Sequence, residues 1–299
     1  MHSFIERLIA SGPVLTDGAW GTELQALGLP TGHFPDAWNL THPEPVARVA
    51  RAYVAAGSRV VLTNTFGANR LRMSGHDLLD KVVEINRRGV ELSRRAAEGH
   101  AYVFASLGPT GRLLLEGDTQ PEEVRAAFDE QAEALADGGA DAIVVETMGD
   151  LQEAELAVRA AHATGLPVVA CMVFDAGKAK DRTLMGVTPE QAATTLAAAG
   201  ADVIGANCGQ GISGYVPVCR RLRAATDRPI WIKPNAGLPE LVEGRVLYRT
   251  TPEVFASFAP ALLEAGASFL GGCCGTNPDF IRALSARLPA RAPAAAPHG

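Results

Sequence analysis

Cys273 and Cys274 stand side by side in Gly271-Gly272-Cys273-Cys274-Gly275-Thr276, directly after the apolar run Ala267-Ser268-Phe269-Leu270. Asn277, Pro278 and Asp279 then supply a helix cap, a first helical residue and a first-turn acid. The pair therefore sits where a buried strand gives way to a helix. Adjacent cysteines point apart along an extended chain, and ring closure between them is strained, which argues against a disulfide. Two thiolates converging on a metal ion is the more productive reading, and a zinc site needs further ligands from elsewhere. Cys208, in Gly205-Ala206-Asn207-Cys208-Gly209 at the end of another apolar run, is the candidate. The alternative is that all three are small buried hydrophobes, as free cysteines often are. Cys171, mid-strand, and Cys219, on a helix, read as core residues. The seven histidines fall in helices, loops or tails and none at a strand end, which leaves a site built of thiolates.

Two acids end apolar runs: Asp17 in Asp17-Gly18-Ala19-Trp20-Gly21-Thr22, and Glu146 in Val145-Glu146-Thr147-Met148. A buried carboxylate is costly without a partner. Each either caps the next helix or loop, or holds a cationic group such as a substrate ammonium. Their place on the same rim as the cysteines favours the second role. Asn64, Asn207 and Asn235 also end strands, where asparagine is often a turn former; Asn207 adjoins Cys208 and reads as a site residue. Trp20, Phe34 and Trp38 lie in the loops after the first strand. They are loop packing, or faces that would hold a quaternary ammonium or sulfonium through cation–π attraction. No nucleophile elbow or Ser-His-Asp arrangement is visible.

Eight short apolar runs, at about 14–17, 59–64, 102–107, 142–146, 168–174, 203–207, 230–233 and 268–273, read as parallel strands buried on both faces. Helical patterns come after them at about 43–56, 79–97, 121–138, 151–164, 189–199, 214–226, 252–265 and 278–287. Eight βα units predict an α/β protein, a (β/α)8 TIM barrel. Five helix starts carry proline then an acid, at Pro43, Pro121, Pro189, Pro252 and Pro278. Gly57, Gly139, Gly200 and Gly266 each close a helix before a strand. Seven residues on from these lie Asn64, Glu146, Asn207 and Cys273, at the strand ends where this fold builds its sites. An open doubly wound sheet is the alternative, but no GxGxxG comes after the first strand. The long loops 18–42, 175–188 and 234–251 lie on the same face.

The 299 residues carry a net charge of −6 with no long basic run, which speaks against nucleic acid and anionic membranes. No run approaches a membrane span and no signal peptide is apparent. An odd count of five cysteines suits a reducing cytoplasm. Residues 1–287 read as one barrel domain, and the Ala/Pro-rich 288–299 as a disordered tail.

Taken together, the Asp17–Thr22 opening, Thr63-Asn64-Thr65-Phe66, Glu146-Thr147, Asn207-Cys208-Gly209 and the closing Gly271–Thr276 motif resemble the homocysteine S-methyltransferase family, in order over about residues 12–287. The resemblance implies a (β/α)8 barrel in which Cys208, Cys273 and Cys274 bind zinc and the homocysteine sulfur takes the fourth position. It places Asp17 and Glu146 at the amino-acid part of homocysteine. Gly18, Thr22, Asn64 and Asn207 join them as substrate-binding candidates, with Phe34 and Trp38. It implies methyl transfer to homocysteine, forming methionine. Relatives draw the methyl from betaine, from S-methylmethionine, or from methylfolate through a corrinoid. Asp36-Ala37-Trp38-Asn39 and Thr63–Gly67 resemble bacterial betaine-dependent members, and betaine is the favoured donor. Gly67 and Thr147 fall at or near the places of the animal betaine enzymes' tyrosines. A methyltransferase component working with a corrinoid protein, and a non-catalytic zinc barrel, are the competing readings. Relatives are often dimers or larger.

Overall fold

In the computed structural model, which describes residues 1–242 and 245–289, parallel strands and helices alternate around a barrel. The strands are β1 Val14–Leu15, β2 Val60–Val61, β3 Tyr102–Leu107, β4 Ala142–Met148, β5 Val168–Met172, β6 Val203–Gly211 and β7 Ile230–Asn235. A small antiparallel hairpin, β8 Glu240–Val242 and β9 Arg245–Leu247, precedes the last barrel strand, β10 Ala267–Leu270. The order around the sheet is β1-β10-β7-β6-β5-β4-β3-β2, all parallel. All eight expected strands are present, and the open-sheet alternative falls away. Among the described residues no ladder joins β1 to β2. Their seam is held by Arg59 N–H donating to Leu15 O at 2.8 Å and Ser58 Oγ to Thr16 O at 3.2 Å. Above these, the Leu62 N–H donates to the Asp17 carboxylate at 2.7 Å. That is why β1 ends at Leu15 rather than at Asp17: a side chain, not a strand, meets the next backbone donor.

The five proline-acid starts all open helices, Pro43–Ala55, Pro121–Asp137, Pro189–Ala199, Pro252–Ser257 and Pro278–Ser285, with proline in the first turn. The helix expected over 252–265 is broken in two. Its second half, Ala259–Glu264, starts afresh at Phe258 because Pro260 has no N–H to continue the first. Three short helices were not expected: Ser3–Ile9, Gly21–Ala26 and Trp38–Thr41. Of the tail, residues 290–299 lie outside the described residues. No helix among the described residues is long and apolar enough to cross a membrane.

Two apolar layers hold the barrel. Outside, helix faces pack on the strands in one continuous cluster that includes Phe128, Leu196 and Phe255. Inside, Phe104, Trp231 and Phe269 stack at centroid distances of 6.0 and 5.1 Å, and Ile5 and Leu8 of the N-terminal helix join the same cluster. Gly205 makes room for the tryptophan: a Cβ there would stand 2.4 Å from Trp231 O and 2.8 Å from Cys171 Sγ. The interior below the rim is thus filled, and only its upper end is free for a ligand.

Candidate active site

The closing Gly271–Cys274 segment is laid between two strands. Gly272 N–H donates to Asp17 O at 3.0 Å, Cys273 N–H to Pro234 O at 2.7 Å, and Cys274 O accepts from Ala236 N–H at 2.9 Å. The chain then turns at Gly275, whose φ of 79° suits glycine, and the Tyr248 ring packs against it. This turn lets two adjacent cysteines reach one point. Cys208 arrives from β6, with φ at 62°, a left-handed conformation that strains a side-chain-bearing residue. The Tyr215 hydroxyl lies 2.7 Å from Cys208 O and 2.9 Å from Asn207 O, holding that bend. The three sulfurs lie within 4.8 Å of one another, and Cys208 Sγ is 3.9 Å from Cys274 Sγ. No histidine joins this group among the described residues, and all five cysteines are free. Cys171 and Cys219 are buried in the core.

Thiols this close cannot ionise independently. Hydrogen bonds from Cys273 and Cys274 pull Cys208 down to about 3. Bonding to Cys208 pushes Cys274 up to about 12, and Cys273 rises well above its ordinary range for the same reason. One negative charge is easy here and three need a cation. The trio is therefore a set of ligand atoms able to hold a metal ion.

The sulfurs open into a cavity of about 490 Å³ at the upper end of the barrel. Glu146, Lys233, Ser106, Phe34, Phe66 and Arg72 are among the residues that line it. Of the residues singled out in the sequence, Gly18, Trp20, Phe34, Asn64, Glu146 and the three cysteines line it; Asp17, Thr22, Trp38 and Asn207 do not. Trp38 is stacked on His42 at 4.6 Å as loop packing. Thr22 Oγ1 is buried without a hydrogen-bond partner among the described residues. Asn64 ties the loop to the strand end through Pro35 O at 2.8 Å and Asn39 Oδ1 at 3.0 Å. Asn207 braces the site from behind. Its amide donates to Thr147 Oγ1 at 2.7 Å and Glu146 Oε2 at 3.2 Å, and its Oδ1 accepts the Thr147 N–H at 2.8 Å. Thr147, like Cys208, has φ at 62°.

Glu146 accepts from Ser106 Oγ at 2.5 Å, and burial raises its pKa despite the nearby Lys233. Asp17 is wholly buried; its Oδ1 meets the Lys233 ammonium, and its Oδ2 accepts from Trp20 Nε1 at 2.8 Å and from Leu62 N–H. Sequence reading missed Lys233, although a lysine closing the apolar run Ile230-Trp231-Ile232 was its signal. Arg72, whose guanidinium sits 5.4 Å from the centre of the Phe66 ring, carried no signal, being one basic residue in a loop. Tyr248, whose ring packs against Gly275 beside the cysteine pair, comes just after the unexpected hairpin.

Comparison with known proteins agrees with this geometry. A family model described as homocysteine S-methyltransferase matches residues 14–288. Methionine synthase of Mycobacterium leprae is 34% identical over 94% of this chain and 24% of its own length. The chain thus spans about a quarter of that relative. Betaine–homocysteine S-methyltransferase 1 of Danio rerio is 31% identical over 96% of this chain and 75% of its own length. In fold, the metallated form of the homocysteine methyltransferase MmuM from Escherichia coli superposes with a TM-score of 0.79, at 24% identity, covering 96% of this chain and 99% of that one.

Proposed function

The chain belongs to the homocysteine S-methyltransferase family, and from that premise we propose that it is a zinc-dependent enzyme moving a methyl group from an onium donor, betaine foremost, to homocysteine. The observation that carries this reading is the convergence of Cys208, Cys273 and Cys274 beside a buried carboxylate in one cavity. Sulfurs bound at 2.3 Å to a tetrahedral zinc ion lie about 3.8 Å apart. The 3.9 Å between Cys208 and Cys274 supports zinc as the ion these residues would hold. When bound, zinc would keep a substrate thiol ionised at neutral pH, where a free thiol of pKa about 8.5 is mostly protonated.

The protein's own groups do the rest. Glu146, held by Ser106 and Asn207, faces the cavity as an acceptor for a substrate ammonium. The filled barrel interior shuts the inner end to solvent. Trp20 and Phe34 both line the cavity, and aromatic rings there would attract a methylated cation. In the reaction a sulfur–carbon bond forms and the donor's bond to its methyl breaks. The donor leaves with that electron pair as a neutral amine or sulfide. Positioning sulfur and methyl at about 3–3.5 Å is the cavity's contribution to rate.

The likeness to methionine synthases favours a second reading, in which the methyl comes from methylfolate through a separate corrinoid protein. One set of assays tests both. Purified protein supplied with zinc is offered homocysteine with betaine, S-methylmethionine or methylfolate in turn, and methionine is measured. Methionine from betaine alone upholds the first reading. Methionine only on adding a corrinoid protein selects the second. Metal content of zero in reduced, zinc-supplied protein overturns both.

A further inference from the structure

A lysine and an arginine line the cavity, and they differ in how their charge is met. Lys233 is buried in an ion pair with Asp17. Arg72, on the loop after β2, is exposed. Of its five guanidinium N–H groups, one finds an acceptor among the described residues, Pro109 O at 3.4 Å. Two buried acids, Asp36 and Glu153, sense its charge, but each is committed elsewhere. Asp36 accepts the Gly67 N–H at 2.9 Å, and Glu153 accepts from the Thr110 N–H at 2.7 Å and from Thr110 Oγ1 at 2.5 Å. Burial raises the pKa of both, which weakens them further as counter-charges. The guanidinium is nonetheless held in place. Its carbon lies 5.4 Å from the centre of the Phe66 ring, and the Arg72 backbone N–H donates to Asn69 Oδ1 at 2.9 Å. Phe66 is seated in turn on Gly108, where a Cβ would stand 2.4 Å from Phe66 Cε2. Gly67 locates the arginine against a second ring: a Cβ there would stand 3.0 Å from Phe34 Cε2 and 3.1 Å from Arg72 Nε. An arginine with open donors and two aromatic rings thus meet around one glycine on the cavity wall.

We propose that Arg72 anchors a carboxylate of the methyl donor while the Phe34 and Phe66 rings flank its methylated cation, so that the cavity selects zwitterionic onium donors over purely cationic ones. This deepens the onium-donor reading and rests on it. The two rings assign the carboxylate to the donor, since the thiol acceptor brings no onium group for them to hold. The selectivity has an attractive and a repulsive part. A carboxylate gains charged hydrogen bonds from the guanidinium fork. A donor of net positive charge meets the same guanidinium with nothing to offset it.

The test is calorimetric binding of two matched pairs to the full-length, zinc-supplied protein. The first pair is betaine and choline, the second dimethylsulfoniopropionate and 3-hydroxypropyl-dimethylsulfonium; in each, a carboxylate gives way to a hydroxymethyl group. Saturating homoserine fills the acceptor place, its hydroxyl being too weak a nucleophile to turn over. The wild type should prefer the carboxylated member of at least one pair by about fivefold, the upper end for an ion pair still open to water. That preference should shrink as ionic strength rises from about 0.01 M to 1 M. R72M should abolish it, leaving the carboxylated member weakened and its hydroxymethyl counterpart bound no less tightly than before. R72K, a cation without the fork, should restore part of it. Zinc stoichiometry, circular dichroism and homocysteine affinity equal to those of the wild type certify each variant as folded with its acceptor place intact. A preference that survives in folded R72M overturns the anchor. So does an R72M that weakens both members of a pair equally, or one that loses homocysteine affinity, which would give Arg72 to the loop or to the acceptor. The proposed reaction is judged separately, by methionine formation. A wild type with the Arg72-dependent preference that makes no methionine from any onium donor supports the anchor and overturns the reaction; one that methylates homocysteine from betaine without any preference overturns the anchor and leaves the reaction standing.

Discussion

Asp36 lines the cavity from a short helical turn, Pro35–Ala37, and is only 2% exposed. Its Oδ1 accepts the Gly67 N–H at 2.9 Å. Burial outweighs that bond and the more distant Arg72, and pushes its pKa from 3.8 up to about 7. The folded-state value lies above the unfolded one, so between them the folded protein holds a proton that the unfolded chain has released. Stability from this group is therefore full below about pH 4 and is lost as pH rises through 7. At 1.36 kcal/mol per pKa unit the whole loss is about 4 kcal/mol, of which about 2.5 kcal/mol falls between pH 5 and pH 8. D36N keeps an acceptor for Gly67 and cannot ionise. Urea unfolding of both proteins at pH 5 and pH 8 should show the variant gaining about 2.5 kcal/mol on the wild type across that interval. An equal difference at both pH values would refute the reasoning, because Asp36 would then be in one protonation state throughout.

Cys273→Ser should lose most bound zinc while its circular dichroism stays that of the folded barrel; one equivalent of zinc in that variant would sink the ligand assignment. In metal-free native protein a thiol reagent should titrate three groups, since Cys171 and Cys219 are buried at 1% and 0%; the other two should appear only in denaturant, and five reactive thiols in the native state would contradict the core placement. Gly205→Ala drives a methyl into Trp231 O and Cys171 Sγ, and should cost about 1–3 kcal/mol by overpacking; unfolding at an unchanged urea midpoint would count against a tightly filled barrel.

Much of this arrangement was legible because it comes from local chemistry. Proline and an acid at a helix start, glycine at a helix end, and continuous apolar runs specify βα units without any tertiary information. The cysteine trio was legible too, because each cysteine comes after an apolar run and so must arrive at the rim. The features that stayed hidden depend on who meets whom across the barrel. Glu240–Val242 and Arg245–Leu247 make a hairpin whose Leu241 is 76% exposed, so no burial pattern marked it. Arg72 and Tyr248 come from connecting segments whose paths only the folded chain reveals.

Asp17 shows most clearly where residue type stops being informative. Asp17 and Glu146 both end an apolar run, and on that criterion alone they are equivalent. Their difference lies in their neighbours. Glu146 extends from a strand paired on both sides, so its carboxylate is free to face the cavity, and Ser106 and Asn207 leave it unsaturated. Asp17 comes after the shortest kind of strand, next to a seam that lacks a ladder, and the Leu62 N–H takes its carboxylate in place of a main-chain carbonyl. A buried, twice-bonded carboxylate still demands a counter-charge. Lys233 supplies it from two strands away around the barrel and thereby brings an ammonium to the cavity floor. The requirement that closes the barrel thus sets which charged pair stands at the cavity.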